Sequence, residues 1–421
     1  MRHFASLICL GLLGLLSCSP ARRPSLSEPD PLAAVLRAHA AQWDSVLRQP
    51  AYEVQILYTR IERDGQGRPT FRTWRHAADS SRYFYPASTV KMPLALLALE
   101  KINRLRRNGH PELHRDTPYA LDSLRPYQQA YARDTAAPSG LPSIAHDVRQ
   151  IFVVSDNLAY NHLFEFLGRE HINSRLAELG YSRTGILHRF NYPGRDNRYA
   201  SPIRFYDPAT GRTLYSEGEK TDPATWLNPQ HSTNKGIGYY NSKDSLIRQP
   251  FDMSRKNWFA LADMEHMLRA VMFPESLPPN QRFDLSDDDY RFLWHYMGIF
   301  PRECGHPRYD STYYDGYVKF FLYGDGKQPR AGSLRSFNKV GEAYGTLTDV
   351  AYIADFEHHV EFMLAATILC NSDGIFNDDR YDYDQTGFPF LAQLGRAMHR
   401  HELARKRSRR PDLSTFQHAL R

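Results

Sequence analysis

The stretch Ser155-Asp156-Asn157-Leu158-Ala159-Tyr160-Asn161-His162-Leu163 carries most weight in interpreting this chain of 421 residues. At ordinary residue frequencies, a given tripeptide such as Ser155-Asp156-Asn157 occurs by chance in only about a few per cent of chains of this size. The residues after it place apolar side chains at helical spacing and predict a helix over 156–168 with one apolar face. This tripeptide therefore indicates a functional site more strongly than the other polar motifs of the chain do.

A second motif, Ser88-Thr89-Val90-Lys91, precedes an apolar stretch that predicts a helix from Met92 to about Leu105. A serine becomes a good nucleophile when a nearby base takes its proton, and a lysine can be that base if burial and neighbouring cations lower its pKa. A separation of three residues on a helix places Ser88 and Lys91 on one face, one turn apart. A serine that caps the helix, with a solvated lysine, fits the same pattern.

The S-x-x-K pattern by itself has little weight, because composition predicts about one copy in a chain this long and the sequence has three. The other copies begin at Ser232 and Ser336. Only Ser88 follows an aromatic strand end, at 83–87, and opens a continuous apolar helix. Together with the tripeptide at 155–157, this context selects Ser88 as the candidate nucleophile.

These two motifs resemble the first and second motifs of the penicillin-recognising serine enzymes, the β-lactamases and D-alanyl-D-alanine peptidases. The third motif of that family is K-T-G or K-S-G on a strand, and Lys339-Val340-Gly341 resembles it. All three motifs occur in family order between a helix and hairpin at the start and strands and a helix at the end. The resemblance therefore covers roughly residues 30 to 400, and it is strongest to the class A β-lactamases.

The resemblance implies how an acyl group would be transferred. Ser88 would be the acylated nucleophile, and Lys91 would accept its proton during acylation. Ser155 would relay a proton to the leaving nitrogen. The implied activity is hydrolysis of an amide bond of the β-lactam type through an acyl-enzyme.

The resemblance also implies which residues hold the substrate. Asn157 would hydrogen-bond the amide side chain of the substrate. Lys339 would place positive charge near Ser155 and the substrate carboxylate, and Gly341 would lie on the same substrate-binding strand. The backbone N–H groups of Ser88 and Glu342 would form the oxyanion hole, where negative charge develops in the tetrahedral intermediate.

Two departures from the family concern the substrate and its release. Val340 stands where the family has a hydroxyl, so one hydrogen bond to a substrate carboxylate is missing. Class A enzymes carry a glutamate in E-x-x-L-N that activates the deacylating water. When the motif letters are aligned, Leu187 stands at the position of this glutamate. When residues are counted from the second motif, Asn191 stands there instead, and neither side chain can act as a general base. We therefore expect acylation to proceed, and deacylation to be slow or to use His188 or Asp196.

The first residues predict export. A charged start and an apolar run over 7–16 are typical of a secretory signal and too short to span a bilayer in the mature protein. The ending Leu15-Leu16-Ser17-Cys18 resembles a bacterial lipobox, which implies a signal peptide over 1–17 and a lipid on Cys18; an ordinary signal peptide that contains a cysteine is the alternative. Residues 18–30 predict a flexible tether to the membrane of the cell envelope, in the periplasm or at the cell surface.

The distribution of patterns along the chain predicts an α+β fold over 31–405. We expect an antiparallel sheet assembled from both ends of the chain and flanked by helices, with a mostly helical subdomain and a loop-rich insertion at about 200–250. Strands are predicted at 54–58, 71–74, 317–322, 334–340, 348–354 and 360–369. Helices are predicted at 32–47, 92–105, 143–154, 156–168, 170–179, 257–272, 287–298 and 390–405.

Composition and the remaining polar clusters limit the other function classes. The net charge of +6 is dispersed except at 405–410, which lacks interleaved aromatic residues, so we expect no nucleic-acid partner. His358-His359 and His399-x-His401 lack the H-E-x-x-H spacing, and we expect no metal and no cofactor. Cys304 and Cys370 can pair in an oxidising compartment or stay free.

Three functions are consistent with these features. The first is a lipid-anchored serine hydrolase of the class A β-lactamase type that forms an acyl-enzyme on Ser88 from a β-lactam or a related amide. The second keeps the fold and acts on a peptidoglycan-derived D-Ala-D-Ala peptide or a small ester. The third is a non-catalytic binding lipoprotein that presents the insertion at 200–250 to a glycan or protein.

Overall fold

The protein is described by a computed structural model over residues 29–192, 196–330 and 332–421. The predicted signal peptide at 1–17, the lipidation site Cys18 and nearly all of the tether lie outside the described residues. Within them, no helix combines the length and the apolar character needed to cross a bilayer.

Helices occupy the middle of the chain and both of its ends. They are α1 (Pro31–Ala38), α2 (Ala40–Leu47), α3 (Lys91–Arg107), α4 (Ile144–Val153), α5 (Asn157–Leu167), α6 (Arg169–Glu178), α7 (Leu261–Met272), α8 (Asp287–Gly298), α9 (Phe320–Tyr323), α10 (Phe388–Ala404) and α11 (Ser414–Ala419). The strands are β1 (Gln55–Arg63), β2 (Pro69–His76), β3 (Tyr119–Leu121), β4 (Thr184–Gly185), β5 (Tyr199–Ala200), β6 (Ile203–Tyr206), β7 (Thr213–Glu217), β8 (Lys220–Thr221), β9 (Asn234–Lys235), β10 (Gly238–Tyr240), β11 (Leu246–Ile247), β12 (Phe251–Asp252), β13 (Trp258–Phe259), β14 (Leu334–Ala343), β15 (Thr346–Asp355), β16 (Val360–Leu369) and β17 (Ile375–Phe376).

The main sheet has five antiparallel strands in the order β14-β15-β16-β1-β2. The N-terminal hairpin joins the C-terminal strands where Tyr58 lies opposite Leu364. At the other edge, Lys339 on β14 faces Val350 on β15. Both ends of the chain therefore build one sheet, which confirms the predicted α+β fold of the β-lactamase/transpeptidase type.

Side chains alternate across the sheet and divide the interior into two cores. Tyr352 and Ala354 on β15 join the core formed with α3, α5 and α7. Ala351 and Ile353, from the same strand, join the core formed with α1 and α10. The sheet is thus covered by helices on both faces, and this fixes β14 against the helical subdomain.

Three sequence predictions about the elements are wrong. The strand predicted at 317–322 is an irregular buried segment that leads into α9, because the N–H of Phe321 donates to the side chain of Asp349 instead of to a neighbouring strand. The helix predicted over 32–47 is broken at His39 into α1 and α2. The domain continues past 405, because Phe416 on α11 packs against Trp294 in the core.

Residues 200–250 consist of short strands joined by loops. The first hairpin, β6–β7, pairs with β3 of the helical subdomain, with Tyr119 opposite Phe205. Further along, the side chain of Lys235 donates to Glu53 at 2.5 Å, just before β1. This segment is therefore attached at two separate places to the body of the domain. The two cysteines are both buried and both free.

Candidate active site

Ser88 lies on a single 3₁₀ turn, Ala87–Val90, which leads directly into α3. Residues three apart in a 3₁₀ helix are eclipsed, so Lys91 follows Ser88 on the same side. Strand β14 passes the turn so closely that a Cβ on Gly341 would come 2.5 Å from the carbonyl oxygen of Pro86. Only glycine allows this approach, and it brings the predicted first and third motifs together.

Lys91 is completely buried, and its ammonium group points to the second motif. Its Nζ donates to the carbonyl oxygen of Ser155, to Oγ of Ser155 at 3.4 Å and to Oδ1 of Asn157 at 2.7 Å. Burial lowers the pKa of Lys91 to about 7, although the nearby Asp156 carboxylate opposes that shift. A lysine with this pKa is partly neutral at physiological pH, so it is able to accept a proton.

Ser155 is held between two lysines at the start of α5. Its φ of 59° lies in the left-handed region, and Asp156 caps the helix by accepting the N–H of Ala159 at 2.8 Å. On the other side, Nζ of Lys339 donates to Oγ of Ser155 at 2.8 Å. A continuous path of hydrogen bonds therefore runs from Lys91 through Ser155 to Lys339.

A buried charge network lies behind β14. Lys319 donates to Oδ1 of Asn338 at 2.7 Å, and Nδ2 of Asn338 donates to Asp349 at 2.7 Å. Burial lowers the pKa of Lys339 well below its usual value; the positive charge of Lys91 acts in the same direction, and Asp349 opposes it. This network was not predicted from the sequence, although Asn338 and Asp349 stand out as polar residues within apolar strands.

A cavity of about 680 Å³ opens over Ser88. The predicted residues Ser88, Ser155, Asn157 and Glu342 line it, while Lys91, Lys339 and Gly341 lie beneath its floor. The wall is rich in aromatic side chains, contributed by Tyr85, Phe190, Tyr192, Tyr317, Phe320 and Tyr344. The fold thus gathers the predicted catalytic, substrate-binding and oxyanion residues around one cavity.

The segment 188–192 differs from both alignments made from the sequence. The ring of Phe190 lies 5.1 Å from Nζ of Lys91, so a phenyl group takes the place beside the lysine. Leu187 is instead buried in an apolar cluster with Trp258, and Asn191 lines the cavity with a φ of 47°. No carboxylate from this described part of the segment faces Lys91.

Two contacts hold Phe190 in this position. Asn161 donates to the carbonyl oxygen of Phe190 at 2.8 Å and accepts its N–H at 2.9 Å. Arg189 is buried and donates to Glu165 at 2.8 Å and to the carbonyl oxygen of Tyr199 at 2.6 Å. Asn161 stands one turn after Asn157 on α5, and this spacing was the signal from which its position near the site could have been deduced.

The two alternative bases are poorly placed to activate water. His188 lines the cavity, and its Nδ1 donates to the carbonyl oxygen of Arg189 at 2.8 Å, which leaves the lone pair on Nε2. However, Nε2 is covered from solvent, and burial lowers the pKa of His188 to about 4. Hydrogen bonds from Arg198 lower the pKa of Asp196 to about 2, and Asp196 does not line this cavity.

The other polar motifs lie outside the cavity. In the second S-x-x-K copy, Lys235 is buried and bound to Glu53, whereas Ser232 is exposed. His358 and His399 both hydrogen-bond Asp355, at 2.9 and 2.8 Å. In the described part of the chain, no group of three or more His, Cys, Asp or Glu side chains is arranged to hold a metal ion.

Comparison with known proteins agrees with this architecture. The sequence profile of the Beta-lactamase enzyme family matches residues 70–285, just over half of the chain, and the chain therefore belongs to that family. Hydrolysis of amide bonds by a serine β-lactamase-like enzyme is the activity that this family indicates. A search of curated proteins finds no match.

Several solved structures with a similar fold are distant in sequence. A β-lactamase from Sphaerobacter thermophilus is 17% identical over 87% of this chain and 95% of its own, with a TM-score of 0.43. A β-lactamase from Streptomyces albus G is 13% identical over 88% and 97%, with a TM-score of 0.45. The protein PBP-A is 14% identical over 88% and 94%, with a TM-score of 0.48.

Proposed function

We propose that this protein is a serine acyl-transfer enzyme of the class A β-lactamase type, in which Ser88 forms a covalent acyl-enzyme with a β-lactam or a related amide. The observation that carries this proposal is the hydrogen-bonded path from Lys91 through Ser155 to Lys339 beneath the Ser88 turn. Burying two lysines next to each other is unfavourable unless their ionisation has a use. A purely structural site would be better served by apolar side chains.

In the acylation step, neutral Lys91 takes the proton of Ser88 as Oγ attacks the carbonyl carbon of the substrate. Ser155, with Lys339 behind it, passes a proton to the leaving nitrogen, so the amide bond breaks without expelling an unstable anion. The N–H groups of Ser88 and Glu342 receive the developing negative charge on the carbonyl oxygen. Asn157 is placed at the cavity wall to meet the amide side chain of the substrate.

Release of the acyl group is the slow half of the reaction. Phe190 occupies the position beside Lys91 from which a carboxylate would activate water, and the covered Nε2 of His188 needs a movement of its ring before it meets water. We infer that the acyl-enzyme is long-lived. This favours a peptidase, esterase or slow β-lactamase over an efficient β-lactamase.

A second candidate keeps the mechanism and changes the substrate to a D-Ala-D-Ala peptide of the cell wall or a small ester. Phe190 and Val340 support it, because both remove groups that an efficient β-lactamase uses. Release of D-alanine compared with steady-state nitrocefin hydrolysis separates the two. The lipid on Cys18 and anchoring in the cell envelope stay part of the proposal, and a mass shift of the mature N-terminal peptide tests them.

Incubation with a fluorescent penicillin, followed by mass spectrometry of the digested protein, tests the proposal. We expect one adduct, on Ser88, and none in Ser88→Ala. Ser232→Ala is the matched control, because Ser232 begins another S-x-x-K copy and is exposed. Equal labelling of the wild type and Ser88→Ala would disprove the proposal, and absence of any labelling by a general serine-hydrolase probe would favour the non-catalytic binding lipoprotein.

A further inference from the structure

The part of the cavity wall formed by β14 is poorly suited to bind an anion. Val340 and Glu342 are two residues apart on one strand, so their side chains lie on the same face, and both line the cavity. The side chain of Val340 is buried and has no group that can form a hydrogen bond, whereas the side chain of Glu342 is exposed and carries a carboxylate. A carboxylate of the substrate at this wall would meet an apolar side chain and a like charge.

The lysine next to this wall is not free to compensate. Lys339 is only 2% exposed, and its Nζ already donates to Oγ of Ser155 at 2.8 Å and to the carbonyl oxygen of Val340 at 2.9 Å. Two of the three hydrogens of an ammonium group at this position are therefore engaged by acceptors of the protein. One hydrogen remains for an anionic group of the substrate, and the burial of the side chain restricts access to it.

A second carboxylate and an exposed aromatic ring lie near Glu342 at this end of the cavity. Desolvation by the surrounding protein, and after it the negative charge of Asp384, raises the pKa of Glu342, so a cation bound there would favour the ionised carboxylate. Tyr317 is 37% exposed, lines the same cavity and feels the charge of Glu342. A carboxylate beside an exposed aromatic ring is an arrangement that attracts an organic cation.

We propose that Glu342 selects acyl donors whose leaving group carries an ammonium group, where relatives of this family bind a carboxylate. This inference rests on the proposed function of Ser88 and names its substrate class. In the reaction, Oγ of Ser88 bonds to the acyl carbon, the bond to the leaving atom breaks, and the proton taken from Ser88 ends on that leaving atom. The ammonium group stays near Glu342 and the Tyr317 ring until the leaving group departs.

Two basic residues of the cavity wall, Arg255 and Lys256, lie on the loop after β12, close to the acidic Asp252. Lys256 donates to the Tyr344 hydroxyl at 3.3 Å and lies over the Tyr344 ring, and Arg255 is exposed beside Asp252. Asp252 also lines the cavity, so this wall contains both signs of charge. It therefore provides a control for charge effects that do not depend on Glu342.

Three aryl esters of phenylacetylglycine test the inference. Their leaving phenols carry a meta-carboxylate, a meta-methyl or a meta-aminomethyl group, and release of the phenol gives kcat/KM for acylation. We expect the aminomethyl ester to react fastest and the carboxylate ester slowest, with a difference of about fivefold for each unit of charge, as is typical of an exposed charge pair. In Glu342→Gln this order should collapse, whereas Asp252→Asn should retain it.

A second variant tests the same wall in the opposite direction. Val340→Thr restores a hydroxyl, and we expect it to improve the carboxylate ester several-fold relative to the aminomethyl ester. The inference would be overturned if the wild type preferred the carboxylate ester. It would also be overturned if the preference for the aminomethyl ester were lost in Arg255→Gln and retained in Glu342→Gln. If phenol release is the same in Ser88→Ala as in the wild type, the proposed function itself has failed, and this outcome is distinct from a wrong order of esters.

Discussion

The two sides of the cavity around Ser88 are built from different kinds of side chain. On one side, Lys91, Ser155 and Lys339 form a continuous path of hydrogen bonds in which each polar group has a partner. On the other side, the segment 188–192 presents the ring of Phe190, while the Nε2 of His188 is covered. The first side is suited to moving protons, whereas the second side places an aromatic ring, and not a base, beside Lys91.

This difference separates the two halves of an acyl-transfer reaction. Attack on the substrate needs a base, a proton relay and a charge-stabilising pair of N–H groups, all of which the first side can supply. Hydrolysis of the product needs an activated water beside the ester, and an aromatic ring cannot activate one. The structure therefore predicts that variants of the two sides change different rate constants.

The largest effect is expected from removing the base of the first side. Lys91→Met should slow acylation by about 10²- to 10⁴-fold, which is the usual contribution of a positioned general base. The rate of labelling by a fluorescent penicillin measures it. Lys101→Met is the control, because Lys101 is also a buried lysine with a lowered pKa but it pairs with Glu217 away from the cavity. Equal rates in the wild type and Lys91→Met would contradict the assignment.

The second prediction adds what the other side lacks. Phe190→Glu places a carboxylate beside Lys91, and the lifetime of the acyl-enzyme should shorten by about tenfold or more. Decay of the fluorescent adduct after removal of excess label measures the lifetime. Phe190→Gln has a similar polar side chain without the charge and should leave the lifetime nearly unchanged. A similar acceleration in both variants would mean that opening the site to water is sufficient.

A third prediction concerns the contact between β14 and the Ser88 turn. In Gly341→Ala, the new Cβ meets the carbonyl oxygen of Pro86, and we expect a loss of about 1–3 kcal/mol in the free energy of unfolding, as for other overpacked sites. Acylation should fall as well, because the two N–H groups around the substrate oxygen move apart. Gly218→Ala is the control, because a Cβ there meets nothing within 4 Å. Denaturant unfolding and labelling rates test both parts.

The smallest effect is expected in the pH dependence of acylation. Only neutral Lys91 accepts a proton, so the rate should rise with pH and level off above a midpoint at about 7. The negative charge of Asp156 raises the pKa of Lys91, so Asp156→Asn should move the midpoint to lower pH by less than about one unit. Asparagine still caps α5, which keeps the helix in place. A midpoint that does not move, or that moves to higher pH, would argue against Lys91 as the titrating group.

Much of the fold was predictable because its elements have clear periodicity. The helix predicted at 287–298 and the strand predicted at 360–369 coincide with α8 and β16. The stretch 317–322 was mistaken for a strand because its apolar run is buried for another reason: Asp349, distant in sequence, satisfies the backbone N–H of Phe321. Local patterns contain no information about such a partner.

The candidate site shows the same limit. Short-range spacing was sufficient to select Ser88, Lys91 and Ser155 as candidates, because each motif is contiguous, and the fold brings these motifs together. The presence of Phe190 beside Lys91 was not predictable, since neither counting nor matching letters pointed to this residue. Phe190 is placed there by Asn161 on α5, whose two hydrogen bonds to the backbone depend on tertiary structure.

Gly341 has a consequence beyond its role in packing. Its missing side chain lets a strand of the sheet rest directly on the turn that bears Ser88, with the backbone of one element against the backbone of the other. Backbone contacts change little with side-chain rotamers, so the spacing between the N–H groups of Ser88 and Glu342 is fixed by the fold itself. The distance between these two N–H groups is then set by the main sheet. Mutations in the cavity wall change the side chains around this opening without changing its width.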